Sequence, residues 1–175
     1  MTRAISLTKR KSDDAETSGD VEVFLLHITH PEMEETVRLS SDDTVRISHD
    51  PLLYATHSTW LTANPYADPY MFMPMTVDRP HDQKGVQASA TLRMPNISAE
   101  MERILRSVRS RSTVDIAVVM ASDPNYVQDQ VLGLKLVDHL ISATEISLSI
   151  SRAWKGDEPW PSGRMTQFVL PGLHL

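Results

Sequence analysis

The run at 113–121, TVDIAVVMA, places the tightest constraint on what this chain can fold into. Val114, Ile116, Val118 and Met120 fall on one side of an extended backbone, and Asp115, Ala117 and Val119 on the other. Both sides are apolar near the end of the run, which predicts a central strand covered on two faces. Such a strand needs a neighbour on each edge and a layer against each face. The flanking sequence supplies candidates. At 88–94, ASATLRM alternates with Ala88, Ala90, Leu92 and Met94 on one side, and Pro95 then removes a ladder donor. Leu132, Leu134 and Leu136 alternate with Gly133 and Lys135, and Thr144, Ile146, Leu148 and Ile150 alternate with Glu145, Ser147 and Ser149. These two segments are expected to pair antiparallel through a bend at 138–143. Ser122, Asp123, Pro124 and Asn125 carry turn chemistry.

Between 88–94 and 113–121 the period changes. Ser98 is suited to cap a helix whose face is Met101, Ile104, Leu105 and Val108. Glu100 and Glu102 at its start and Arg103, Arg106 and Arg109 towards its end match the helix dipole. Three turns are marginal alone, so the apolar face is expected to pack on the sheet. The arginine cluster, which continues to Arg111, reads first as a solvated helix end and second as a surface for an acidic partner.

Upstream, VEVFLLHITH at 21–30 is apolar on both faces and ends at Pro31, with TVRL at 36–39 as its hairpin partner and a further short strand at 44–47. The region 52–68 places Tyr54, Trp60 and Tyr66 among polar residues. The plainer reading is a long connection anchored by its rings; the sharper one is an exposed aromatic patch for a glycan or protein. YMFMPMTV at 70–77 reads as one strand with Met71, Met73, Met75 and Val77 on a face, and Pro74 moves it towards a sheet edge. The methionine stripe suits adaptable packing rather than copper binding.

Several function classes lose ground here. With 175 residues the chain has the length of one domain with a sizeable core. It has no cysteine, so disulfides and thiolate metal sites are excluded. A net charge of −6 gives no general attraction to nucleic acid. No apolar run approaches a membrane span, and the N-terminus lacks the apolar core of a secretory signal. His27 and His30 stand three apart, which in a strand puts them on opposite faces. No strained nucleophile elbow and no phosphate-cradling glycine pattern occurs. The polar segment 1–20 has too little apolar surface to fold alone and is expected to be a flexible arm. Residues 21–152 form the expected β-rich core. Residues 153–175, with Trp154, Trp160, Phe168, Pro171 and Leu173, are expected to be an extended arm docking on the core or on a neighbour.

The order of segments LLHITHPEM…ETVRLSSD, PYMFMPMTVDRP…ATLRMPNI, TVDIAVVMASDP and EPWPSGRMTQFVLPGL resembles a family of phage-encoded proteins of unassigned domain function, found among the tail genes of long-tailed phages. The likeness runs from Val21 to Leu173 and departs from the pattern in the N-terminal extension and around Trp60. Its most specific part is the closing E-P-x-P-x-G-R-x-T with P-G-L. The resemblance implies a mainly β (α+β) fold, an antiparallel β-sandwich or split barrel with one packed α-helix and extended terminal arms. It implies a distal-tail-like structural protein of the virion tail tip, assembled in the host cytoplasm, without catalytic, cofactor or metal residues. The implied partners are further copies of itself in a sixfold ring, the tail tube protein, the tail hub and other tail-tip proteins. DNA would pass through the lumen without specific binding, and Asp42, Asp43, Asp123, Asp129 and Asp157, read as loop residues, would make its wall acidic. Trp154, Trp160, Arg164, Phe168, Pro171 and Leu173 are the expected assembly interface. The alternative is a receptor- or carbohydrate-binding accessory domain that uses Trp60 and Tyr66.

Overall fold

The computed structural model describes residues 5–33, 36–62, 64–78, 89–95 and 112–152. Helix α1 (Leu7–Asp14) precedes strands β1 (Glu22–Thr29), β2 (Val37–Ser40), β3 (Arg46–His49), β4 (Leu52–Thr56) and β5 (Tyr70–Phe72). Strands β6 (Thr76–Asp78), β7 (Ser89–Pro95), β8 (Thr113–Met120), β9 (Asp123–Ile141) and β10 (Glu145–Arg152) follow. The protein is mainly β, as the alternation predicts, and the one short helix among the described residues is α1. The expected helix over 98–109 lies outside the described residues.

The strands form one sheet in the order β3-β4-β5-β2-β1-β8-β9-β10-β7-β6. The β2–β5 ladder is parallel, with Leu39 opposite Met71, and β2–β1, β1–β8, β8–β9, β9–β10 and β10–β7 are antiparallel. In this order β5 is third and β6 tenth, seven strand spacings apart, which on a flat sheet would be about 33 Å. Residues 73–75 alone join them, and a link of that length reaches about 14 Å. The sheet is therefore rolled over on itself, sandwich-like, with a single apolar interior between its facing parts.

That interior is what the alternating residues build. Leu26 and Ile28 of β1, Leu39 of β2, Leu92 and Met94 of β7, Val114 and Ile116 of β8, and Ile146, Leu148 and Ile150 of β10 are buried together. Each such side chain contributes about 1.5–3 kcal/mol through burial. β8 lies between β1 and β9 and is buried from Ile116 to Met120, so both its faces are covered, as predicted.

Four sequence expectations change. The strand at 70–77 divides at Met73–Met75 because the chain passes the corner there. β5 sits inside the sheet between β4 and β2, and only β6 is an edge. Residues 52–56, read as connection, are strand β4, which pairs with β3 and β5. β9 runs unbroken for 19 residues, so Asp123 and Pro124 already belong to a strand. Pro124 is tolerated because β10 pairs only with the far half of β9, from Leu134 onward. Along β9 the simple alternation of Leu132, Leu134 and Leu136 fails. Gly133 takes φ +71° beside a register shift opposite Val114 and Ile116, a conformation glycine adopts without strain. Leu134 then points inward, while Leu132 is exposed.

The fourth change concerns 1–20, expected to be a flexible arm. Residues 7–14 are helical, capped by the Ser6 hydroxyl, which accepts from the Lys9 backbone N–H. None of the helix is buried, so apolar packing does not hold it. Polar ties do. Ser6 and Gln128 exchange two hydrogen bonds of 3.1 and 2.8 Å, Lys9 pairs with Glu22, and Asp20 accepts from the backbone N–H and hydroxyl of Ser122. Composition alone does not foresee this, because Ser6 with Gln128 and Asp20 with Ser122 each meet across more than 100 residues.

Candidate functional site

Two places on the rolled sheet carry more than packing. The first is the outer face of β1 and β8. Here Val23, Leu25, Ala117 and Val119 form a second buried cluster with Trp60 and Tyr70. The segment 57–69, between β4 and β5, crosses this face as a strap. Ser58 Oγ donates to the Pro124 carbonyl, the Thr59 N–H donates to Asn125 Oδ1, and Trp60 Nε1 donates to Gln130 Oε1 at 3.1 Å. Trp60 stacks on Tyr70 with ring centroids 5.9 Å apart, and the Tyr70 hydroxyl donates to the Trp60 carbonyl. Burial pushes the Tyr70 phenol well above its ordinary pKa.

Beside this cluster lies a polar row set by strand register. Arg38 of β2 and Asp115 of β8 both stand opposite His27 of β1. His27 Nδ1 donates to Asp115 Oδ2 at 3.4 Å, Trp60 meets the imidazole edge-on at 6.3 Å, and Asp115 Oδ1 also accepts from the Gly133 N–H. Removal from water lowers the His27 pKa, and Arg38 adds to that, while Asp115 opposes both. Arg38 lies 3.7 Å from Asp68, and its Nε is buried without a partner. The row ties β1, β2 and β8 to the strap, through Trp60 on His27 and Asp68 beside Arg38. Sequence reading missed it, because only cross-strand register brings positions 27, 38 and 115 together.

The second place is an open groove of 680 Å³ at the corner where β5 passes into β6. Phe72, Pro74 and Met75 come from the corner, Met94 and Pro95 from the end of β7, and Asp43, Arg93 and Glu145 bring charge to it. Its lining is mixed, with two carboxylates against one guanidinium.

The remaining expected residues distribute as follows. Trp154, Trp160, Arg164, Phe168, Pro171, Leu173 and Asp157 lie outside the described residues, as do Arg103, Arg106, Arg109 and Arg111. Trp60 is buried, so it is not available to stack on a glycan, whereas Tyr66 is 79% exposed and packs on His57 at 4.8 Å. Of the carboxylates read as loop residues, Asp123 and Asp129 lie in β9. Asp42 is buried and accepts from the Thr44 N–H and hydroxyl, which fixes the turn before β3. His30 is also buried, and its Nδ1 accepts from the Glu32 N–H. Among the described residues no group of three or more His, Cys, Asp or Glu is placed to hold a metal ion, and no helix is long and apolar enough to cross a membrane.

No family model matches the sequence, and no curated protein is similar to it.

Proposed function

We propose that this protein is a structural component of a phage tail tip or baseplate, a distal-tail-like protein whose copies close into a ring between the tail tube and the central hub. The observation that carries the reading is a pair of separate apolar surfaces on strand hairpins. The β3–β4 hairpin exposes Ile47, Leu52 and Leu53, with Val45 just before it. The β9–β10 hairpin exposes Val137 and Leu140, the latter by 70%. β4 and β9 stand five strand positions apart in the sheet order, and the two hairpins do not pair with each other. A ring needs two different patches, because each subunit meets its neighbours through unlike surfaces. Apolar side chains gathered on a hairpin are also the usual mark of a surface that another protein covers. The order of segments that resembles phage tail proteins supports the same reading. In it the ring stands in the virion, its neighbours are the tail tube, the hub and other tail-tip proteins, and the chain performs no catalysis.

The test is the assembly state of the purified chain, by light scattering and by electron microscopy of negatively stained particles. A closed ring with a central axis is expected, and Ile47→Asp with Leu53→Asp is expected to reduce it to monomers. A monomer at all accessible concentrations overturns the reading. The alternative, a receptor- or carbohydrate-binding accessory domain, is left with Tyr66 and His57 now that Trp60 faces inward.

A further inference from the structure

We propose that Arg38, under the strap turn at 64–68, is a binding site for a carboxylate or phosphate group, and that Asp68 is the chain's own group holding the place of that ligand. The inference does not depend on the ring.

The guanidinium is incompletely used. Its N–H donors form a planar fork that suits two oxygens of one oxyanion, held in parallel hydrogen bonds. In the folded chain Arg38 Nη1 lies 3.7 Å from Asp68 Oδ1, too long for a hydrogen bond, and Nε is buried without a partner among the described residues. Asp115, the other carboxylate of the row, does not compete for Arg38, because its oxygens accept from His27 and from the Gly133 N–H. Asp68 therefore balances the charge without satisfying the donors. A buried donor left without an acceptor costs stability, and an oxyanion seated on the fork removes that cost. The Arg38 side chain is 19% exposed and that of Asp68 51%, so a small anion reaches the pair from solvent.

The strap is fastened at one end and loose at this one. Ser58, Thr59 and Trp60 carry its hydrogen bonds to β9. Among the described residues, the polar contact that ties Leu61, Thr62 and the 64–68 turn to a strand is that of Asp68 with Arg38. Leu61, just past the fastened end, takes φ +48°, a left-handed conformation that costs a residue with a side chain, and Thr62 Oγ1 is buried without a partner. The 64–68 turn is closed on itself. Asn64 Oδ1 accepts from the N–H groups of Tyr66 and Ala67, and the Asp68 N–H donates to the Asn64 carbonyl. Asp68 therefore leaves Arg38 together with the turn, and its departure opens the buried Nε to the ligand.

The test is NMR on the isotope-labelled full chain. The Arg38 Nε–H signal, identified by its loss in Arg38→Lys, and the backbone N–H of Asp68 are followed as inorganic phosphate or acetate replaces chloride at constant ionic strength. A saturating shift of both signals is expected, and the tighter of the two anions names the class of ligand. Asp68→Asn is an exposed change and is expected to tighten that binding by about twofold to fivefold, the worth of an exposed ion pair. Arg38→Lys keeps the charge but loses the fork, and is expected to abolish the shift at the Asp68 N–H. The absence of a saturating shift with either anion overturns the proposal. Unchanged affinity in Asp68→Asn overturns it as well, since Asp68 would then hold no ligand's place. Undiminished binding by Arg38→Lys assigns the anion to another part of the surface and overturns it too. Whether the chain forms rings is read separately from its mass, so failure here leaves the ring reading standing.

Discussion

The interior of the rolled sheet and the strapped outer face of β1 and β8 are both buried, yet they are held in different ways. The interior is a continuous set of aliphatic and methionine side chains from seven strands, none carrying a polar atom that needs a partner. The strapped face depends on two aromatic rings, a histidine edge and directional hydrogen bonds to Pro124, Asn125 and Gln130. Burial in the first is redundant, because neighbours can shift to fill small changes in shape. In the second a single ring carries much of the contact, and its polar atoms must find their partners.

The largest effect expected from this contrast is at Trp60. Trp60→Ala should cost about 3–5 kcal/mol, the range for a truncated buried aromatic. It should also bring the His27 pKa back towards its ordinary value, because the ring covering the imidazole is gone. Urea denaturation and the His27 NMR titration check both, and a protein with unchanged stability would place the strap outside the cooperative fold. Tyr70→Phe keeps the ring and deletes the hydroxyl that meets the Trp60 carbonyl. About 1–3 kcal/mol should be lost, the cost of leaving a buried polar group without its partner.

Leu92→Met in the interior should cost less than about 1.5 kcal/mol, although Leu92 is fully buried, because the exchange conserves volume. If its denaturation midpoint fell as far as that of Tyr70→Phe, the two faces would not differ in tolerance. The smallest expected effect is a pH dependence. Burial lowers the His27 pKa below the value of about 6.5 it has when unfolded. As pH falls through that region the unfolded chain takes up a proton that the folded chain resists, so stability should decline towards acid pH. Asp115 on β8 and Arg38 on β2 are the charges facing the imidazole, and they act in opposite directions. His27→Gln should flatten the part of the slope between neutral pH and the lowered His27 pKa. An identical slope in the variant would assign the acid sensitivity to other groups.

Local pattern determined a large part of this protein. Period-two alternation at 88–94, 113–121 and 144–150 placed three strands within two residues of their observed ends, and most of their inward residues, because a pleated backbone leaves no choice of face once one side is apolar. The antiparallel pairing of β9 with β10, and the apolar character of β1 on both faces, were legible for the same reason. Of the rings expected to anchor the long connection, Trp60 is buried as read, whereas Tyr54 lies in β4 and Tyr66 is exposed. Other features were decided only when distant segments met. The corner at Met73–Met75 divides one apparent strand because the sheet rolls over there, and the bulge at Gly133 reverses the face of Leu132. The polar ties of α1, the His27 row and the groove join residues remote in sequence. Sequence periodicity reports how a segment faces its own layer. Register, closure and the meeting of layers are properties of pairs of segments, and so they appear only in the folded chain.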